Sequence, residues 1–192
     1  TKSLTSETGA MLTNDNLLPY EGEDFEKVMV NLLGAINYTL LGLWDDALVE
    51  ARKVDHKLNL LNDRYEKKNV YKEDAFARYL SGILYEARGE LNDAFIAYRK
   101  AQEAYGDYRQ AYGMEPPSLL PVDLLRLSDA LHLPEEFKEY RDLFPETAYE
   151  SYDSLSQKGE LILISLEGWS PVKEDFFLDA PIPDGQGGTY LL

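Results

Sequence analysis

Six residues between Gly82 and Ala101 constrain the fold of this chain more than any other feature. Gly82, Tyr85, Gly89, Ala94, Tyr98 and Ala101 follow one another at offsets of three, four, five, four and three. Such spacing reads as two helices joined at Arg88-Gly89-Glu90, with small residues where the helices touch and Tyr85 and Tyr98 filling the space beside them. Gly89 offers a left-handed stop to the first helix without a Cβ penalty. Upstream, Ala35, Tyr38, Gly42, Ala47, Ala51 and Val54 reproduce the same offsets. Two copies of a six-position pattern predict two antiparallel helical hairpins stacked on one another.

These residues resemble the tetratricopeptide repeat, a helix-turn-helix unit with small, Tyr, Gly, Ala, aromatic and Ala residues at this spacing. The first copy departs from that signature at Ala51, where a larger aromatic is usual, and at Val54. Gly42 and Gly89 stand 47 residues apart (89 − 42), against a usual period of about 34. The polar stretch Asn62 to Glu73 is where the extra residues are expected, as longer helices flanking a wider, solvated loop.

Taken in order, Thr1 to Asn16 is polar and reads as an irregular arm, followed by a turn at Leu17-Leu18-Pro19-Tyr20-Glu21-Gly22. Glu21, Glu23, Asp24 and Glu26 gather where a helix begins, meeting the positive end of its dipole. Their spacing does not match a twelve-residue calcium loop. Phe25 to Leu41 then carries Val28, Leu32, Leu33, Ile36 and Leu40 at a helical period. Trp44 to about Tyr65 predicts a second helix buried through Ala47, Leu48, Ala51, Val54, Leu58 and Leu61. After Ala101 the fourth helix continues to about Tyr112 and stops at Gly113 and Pro116-Pro117. Tyr98, Tyr105, Tyr108 and Tyr112 fall roughly on one face of it; an aromatic stripe packs the next helix pair or stacks bases and sugars.

A third, degenerate pair is expected at Pro121 to Leu131 and Pro134 to Phe144, each opening with proline. Leu124, Leu125, Leu127 and Leu131 give the first a buried face, and Phe137, Tyr140 and Leu143 the second. Beyond Pro145 the pattern changes. Leu161-Ile162-Leu163-Ile164-Ser165-Leu166 reads as a strand, Asp179 to Gly185 as punctuation, and Thr189 to Leu192 as the opening of another strand. The chain closes on two leucines without a polar tail, which predicts that a longer protein has been cut there. The expected architecture is therefore mainly α: an arm over 1–22, a helical hairpin array over 23–145, and a β-containing segment over 146–192.

Composition narrows the function classes. With 192 residues and 44% hydrophobic content the chain can bury a core. A formal charge of −16 repels phosphate backbones and anionic lipid headgroups, so neither nucleic acid nor an electrostatic membrane surface is expected as a partner. Its plain meaning is a solvated surface. There is no cysteine, which removes disulfides, thiol catalysis and cysteine metal sites. No apolar run approaches the roughly 20 residues needed to span a bilayer. His56 and His132 lack a metal-binding spacing, Ser165 and Ser170 lack a nucleophile-elbow frame, and Gly185-Gln186-Gly187-Gly188 has no following Lys-Ser/Thr. No catalytic residue, metal or cofactor is expected.

Carrying over the repeat's groove positions gives Met29, Leu32, Ile36, Thr39 and Leu40 from the first unit, and Phe76, Tyr79, Ile83, Glu86 and Ala87 from the second. Of these, Met29, Leu32, Ile36, Leu40, Phe76, Tyr79 and Ile83 form the expected partner-binding groove. The set is mainly apolar and lacks the Asn, Lys and Arg with which such repeats clamp a terminal carboxylate. It suits a hydrophobic segment, supplied by another protein or by this chain's own arm or C-terminal region.

At a finer grain, PYEGEDFEKVMVN (Pro19 to Asn31), INYTLLGLWDDALVEARKV (Ile36 to Val54) and GWSPVK (Gly168 to Lys173) resemble a family of bacterial cell-envelope lipoproteins with tetratricopeptide repeats. Members carry a signal, a lipid-modified cysteine, the repeats and a β-rich tail. The resemblance implies a periplasmic or outer-membrane-associated scaffolding or assembly component with protein partners. It implies a lipid anchor only if an upstream cysteine has been trimmed away, and a cytoplasmic location stays open. Two other function classes stay open as well: an envelope enzyme or carbohydrate-binding protein using the Tyr stripe and acidic residues, and a structural subunit of a larger oligomer.

Overall fold

A computed structural model describes residues 22–64, 73–158, 160–165, 181–183 and 189–191. The chain is mainly helical and divides into two compact units, Thr1–Gly159 and Glu160–Leu192. The first unit contains α1 (Asp24–Leu40), α2 (Trp44–Arg64), α3 (Ala75–Ala87), α4 (Leu91–Tyr112), α5 (Leu120–Ala130), α6 (Pro134–Leu143) and the short α7 (Tyr152–Ser156). Each of the first six packs on its neighbours in sequence, most closely within the pairs α1/α2 and α3/α4. The expected boundary at residue 145 lies inside this unit, because α7 returns to pack on α5.

Local chemistry explains where the helices begin. Glu23 and Glu26 form a reciprocal cap at the start of α1, with the Glu23 N–H donating to the Glu26 carboxylate at 2.8 Å. The Asp74 carboxylate accepts from the Ala77 N–H at 2.8 Å and caps α3. Proline opens α5 and α6, where its missing N–H has no intrahelical partner to lose.

One turn geometry recurs three times. Gly42, Gly89 and His132 all have left-handed φ, at 74°, 75° and 57°. Each donates its N–H to the carbonyl three residues earlier: Gly42 to Thr39 at 3.0 Å, Gly89 to Glu86 at 2.9 Å and His132 to Asp129 at 3.0 Å. The next residue reaches back five positions, Leu43 to Tyr38, Glu90 to Tyr85 and Leu133 to Ser128, all at 2.9 Å. These bonds satisfy the last carbonyls of one helix, and the same residue's carbonyl then starts the next: Ala47, Ala94 and Phe137 donate to Leu43, Glu90 and Leu133. In this register the third hairpin places Leu125, Ser128, His132, Phe137, Arg141 and Phe144 at the six repeat positions. It shares no residue type with either earlier copy, so only backbone geometry reveals the equivalence.

The core runs through all three hairpins. Every residue of the expected α2 stripe is buried, from Ala47 to Leu61, as are Leu120, Leu124, Leu125 and Leu127 of α5. Gly82 is required by its neighbour: a Cβ there would sit 2.4 Å from the buried Tyr98 ring. The first hairpin places Ala35 and Ala51 at the equivalent positions and tolerates a methyl group on both sides.

Several expectations need correction. Leu33 and Leu40 of α1 are exposed; among the described elements α1 packs closely on α2, and these two residues fall off that face. Leu143 is exposed for a similar reason at the other end of the array, where Tyr140 alone of α6 is buried. The strand expected at Leu161 to Leu166 does not form over the described residues 161–165, which are exposed, Leu163 at 88%. In the second unit, β1 (Pro181–Pro183) instead pairs antiparallel with β2 (Thr189–Leu191), Ile182 opposite Tyr190. Thr1 to Glu21, most of the Asn62–Glu73 loop, and the GWSPVK and glycine-rich segments lie outside the described residues.

Candidate functional site

The expected groove does not assemble as a set. Leu32 is 2% exposed and Tyr79 is 8% exposed, so both belong to the core and neither can line an open surface. Leu32 falls on the side of α1 turned towards α2, and the Tyr79 hydroxyl is bonded to Asp123. Ile36, Phe76 and Ile83 are half-buried against the core, whereas Met29 and Leu40 are exposed, Leu40 at 81%. Thr39 bonds its hydroxyl to the Ala35 carbonyl at 2.8 Å.

Beside the shared apolar core, each pair of adjacent hairpins is joined by a polar cluster. In the joint between the second and third, Arg126 of α5 donates to both oxygens of Glu86 at 2.9 and 3.0 Å and to Asp123 at 2.7 Å. Tyr79 donates to Asp123 and Tyr98 donates to Glu86, each at 2.8 Å. One guanidinium thus holds two carboxylates, and two phenols complete their hydrogen bonding. Burial pushes the Asp123 carboxyl up to about 6, against the attraction of Arg126. Burial first, and the adjacent carboxylates next, push the Tyr79 and Tyr98 phenols far above their usual range. Both stay protonated donors at any physiological pH.

A second tie joins the first and second hairpins. Arg78 of α3 is 0% exposed. It donates to Glu73 and Asp55 at 2.6 Å each and to Asn59 at 3.0 Å. Tyr85 donates to the other Asp55 oxygen at 2.9 Å. On the surface nearby, Arg52 of α2 reaches Glu90 in the second turn at 2.8 Å. A buried guanidinium without these partners would be very costly; with them it fixes the register of two helices.

These clusters have the composition of an acid–base site but not its geometry. Their carboxylates are engaged by internal Arg and Tyr donors, so a substrate proton would have to displace them. Of the aromatic stripe, Tyr98 and Tyr105 are buried, and Tyr108 donates to the Glu73 carbonyl at 3.0 Å. Burial and Asp74 push Tyr105 up to about 12. Only Tyr112 of the four is exposed, with its ring set edge-on to Tyr108. His56 is exposed, and His132 is a turn residue. Among the described residues no group of three or more His, Asp or Glu could hold a metal ion, and no helix is long and apolar enough to cross a membrane.

Sequence reasoning missed Arg78, Asp55, Asp123 and Arg126. The available signal was a charge inside an apolar helical run: Arg78 within AFARYL and Arg126 within LLRLSDA. A long cation in such a place is either exposed by the helix phase or paired, and the phase of both positions is buried. Comparison with protein-family models, curated proteins and solved structures gives no match to the chain.

Proposed function

We propose that this chain is a non-catalytic scaffold or assembly factor of the bacterial cell envelope, built of three tetratricopeptide-like hairpins with a small β appendage. The recurrence of one turn geometry at Gly42, Gly89 and His132, in a common hydrogen-bond register, carries the reading. Hairpins stacked in register present their first helices on a common side, and such surfaces hold protein segments. On this reading the floor of the binding surface is Ile36, Phe76 and Ile83, the half-buried members of the expected set. The envelope assignment draws on the sequence resemblance of PYEGEDFEKVMVN and GWSPVK. An enzyme or sugar-binding reading is less well supported, because the tyrosines it needs are mostly buried and the carboxylates are paired.

A photo-crosslinking side chain introduced at Phe76 or Ile83, in cells, tests the proposal. We expect adducts to a distinct protein of the envelope fraction that do not form when the probe stands at the exposed Ile96 of α4. Identical adduct patterns from all three positions, or none from Phe76 and Ile83, would overturn it.

A further inference from the structure

The turns set equivalent residues of the three hairpins in register: 47 residues separate Gly42 from Gly89, and 43 separate Gly89 from His132 (132 − 89). Carried through in this way, the groove positions extend onto α5. Met29, Phe76 and Leu119 form one row across the first helices, and Ile36, Ile83 and Arg126 form the next. Met29 and Leu119 are exposed and Phe76 is half-buried, so the first row is apolar and open along its length. The second row ends on a cation that is already engaged: Arg126 is 4% exposed and donates to Glu86 and Asp123. The other cations of α1, α3 and α5 are engaged too. Arg78 is buried among its own acceptors, and Lys27 pairs with Asp24 at 3.5 Å.

A third row, Thr39, Glu86 and Asp129, follows the edge where the turns lie, and Asp129 is exposed there. The first helices all end on this edge, so their negative dipole ends gather along it. Each turn is followed by acids: Asp45 and Asp46 in α2, Asp93 in α4, Glu135 and Glu136 in α6. The cations set against them, Arg88 and Arg52, are paired with Asp45 and Glu90. An apolar floor thus runs beside an acidic edge, and no free cation of the first helices faces an anion.

We propose that the occupant of this groove is a basic amphipathic segment of another protein, an inference that rests on the groove reading given above. Its large apolar side chains would meet the rows of Met29 and Ile36, and its Lys or Arg side chains the turn edge. Complementary charge of this kind steers the encounter and fixes the register of the bound segment. The same criterion disfavours this chain as its own occupant. Residues 1–21 carry three acids against Lys2, and residues 160–192 carry six acids against Lys173. A second copy would bring a further charge of −16.

The test uses the purified chain with a photo-crosslinking side chain at Ile83, and three synthetic peptides. One has leucines at helical spacing and lysine elsewhere, the second replaces its lysines by glutamate, and the third replaces its leucines by serine. Capture of the Leu/Lys peptide from Ile83 is expected to exceed that of either other peptide at least tenfold, and to fall as salt is raised. It should also exceed capture from the exposed Ile96 of α4. Asp129→Asn, which keeps an acceptor for the Tyr149 hydroxyl, is expected to lower capture severalfold with the helical circular dichroism unchanged. A probe at Phe76 repeats the series should the Ile83 variant fold poorly. Equal capture of the Leu/Lys and Leu/Glu peptides at the groove would overturn this inference and leave the groove reading standing. Equal capture of the Leu/Lys and Lys/Ser peptides would overturn it as well. Capture from Ile83 and Phe76 no stronger than from Ile96 would overturn both.

Discussion

Gly82 and Tyr98 are a matched pair, and their dependence on each other can be measured. A methyl group at 82 would press on a ring held in place by its bond to Glu86. Gly82→Ala is therefore expected to lower stability by about 1–3 kcal/mol, the usual range for overpacking. Its cost should shrink in a Tyr98→Ala background, as double-mutant denaturation curves would show. Asp123 provides a test of electrostatics. Its folded-state value of about 6 lies above the ~3.9 of an unfolded aspartate, so the folded state binds the proton more tightly. The resulting stabilisation is fully present below about pH 4 and is lost as the pH rises through about 6. Asp123→Asn, which keeps an acceptor for Tyr79, should remove this contribution, about 3 kcal/mol across that window. Urea unfolding at stepped pH values would show a flatter profile than the parent.

At the scale of elements, the legible part of the fold was the part written in residue types. The stripe of α2, the stops at Gly42, Gly89 and Gly113, and the proline-led α5 and α6 were all readable, because small residues and prolines act through local sterics. The third turn was not readable, since His132 takes a conformation ordinarily signalled by glycine. His132→Gly is expected to raise stability by about 0.5–1 kcal/mol, the relief of left-handed strain outweighing glycine's entropy. Thermal unfolding of the two forms decides it. Exposure was the least legible property. Leu32 and Leu33 are adjacent and chemically identical, yet one is core and the other surface, because the number of neighbours a helix has is a tertiary fact. The candidate site fared similarly: apolar groove positions could be carried over from a pattern, but the paired charges at Arg78 and Arg126 depend on partners 23 and 40 residues away.

Across the first unit, two kinds of contact hold one hairpin to the next. Apolar and small side chains form a single core through all three hairpins, and Arg78 and Arg126 add charged ties between neighbouring hairpins. The two kinds of joint respond differently to distance. Apolar packing gives way over the breadth of a surface, while a charge-assisted hydrogen bond of 2.6–2.9 Å loses its geometry within a fraction of an ångström. Under tension along the array, the joints should therefore hold stiffly and then snap one at a time, leaving each hairpin intact to reseat when the load falls. In a pulling experiment this behaviour would appear as a few sharp, reversible rips, and Arg126→Met would erase one of them.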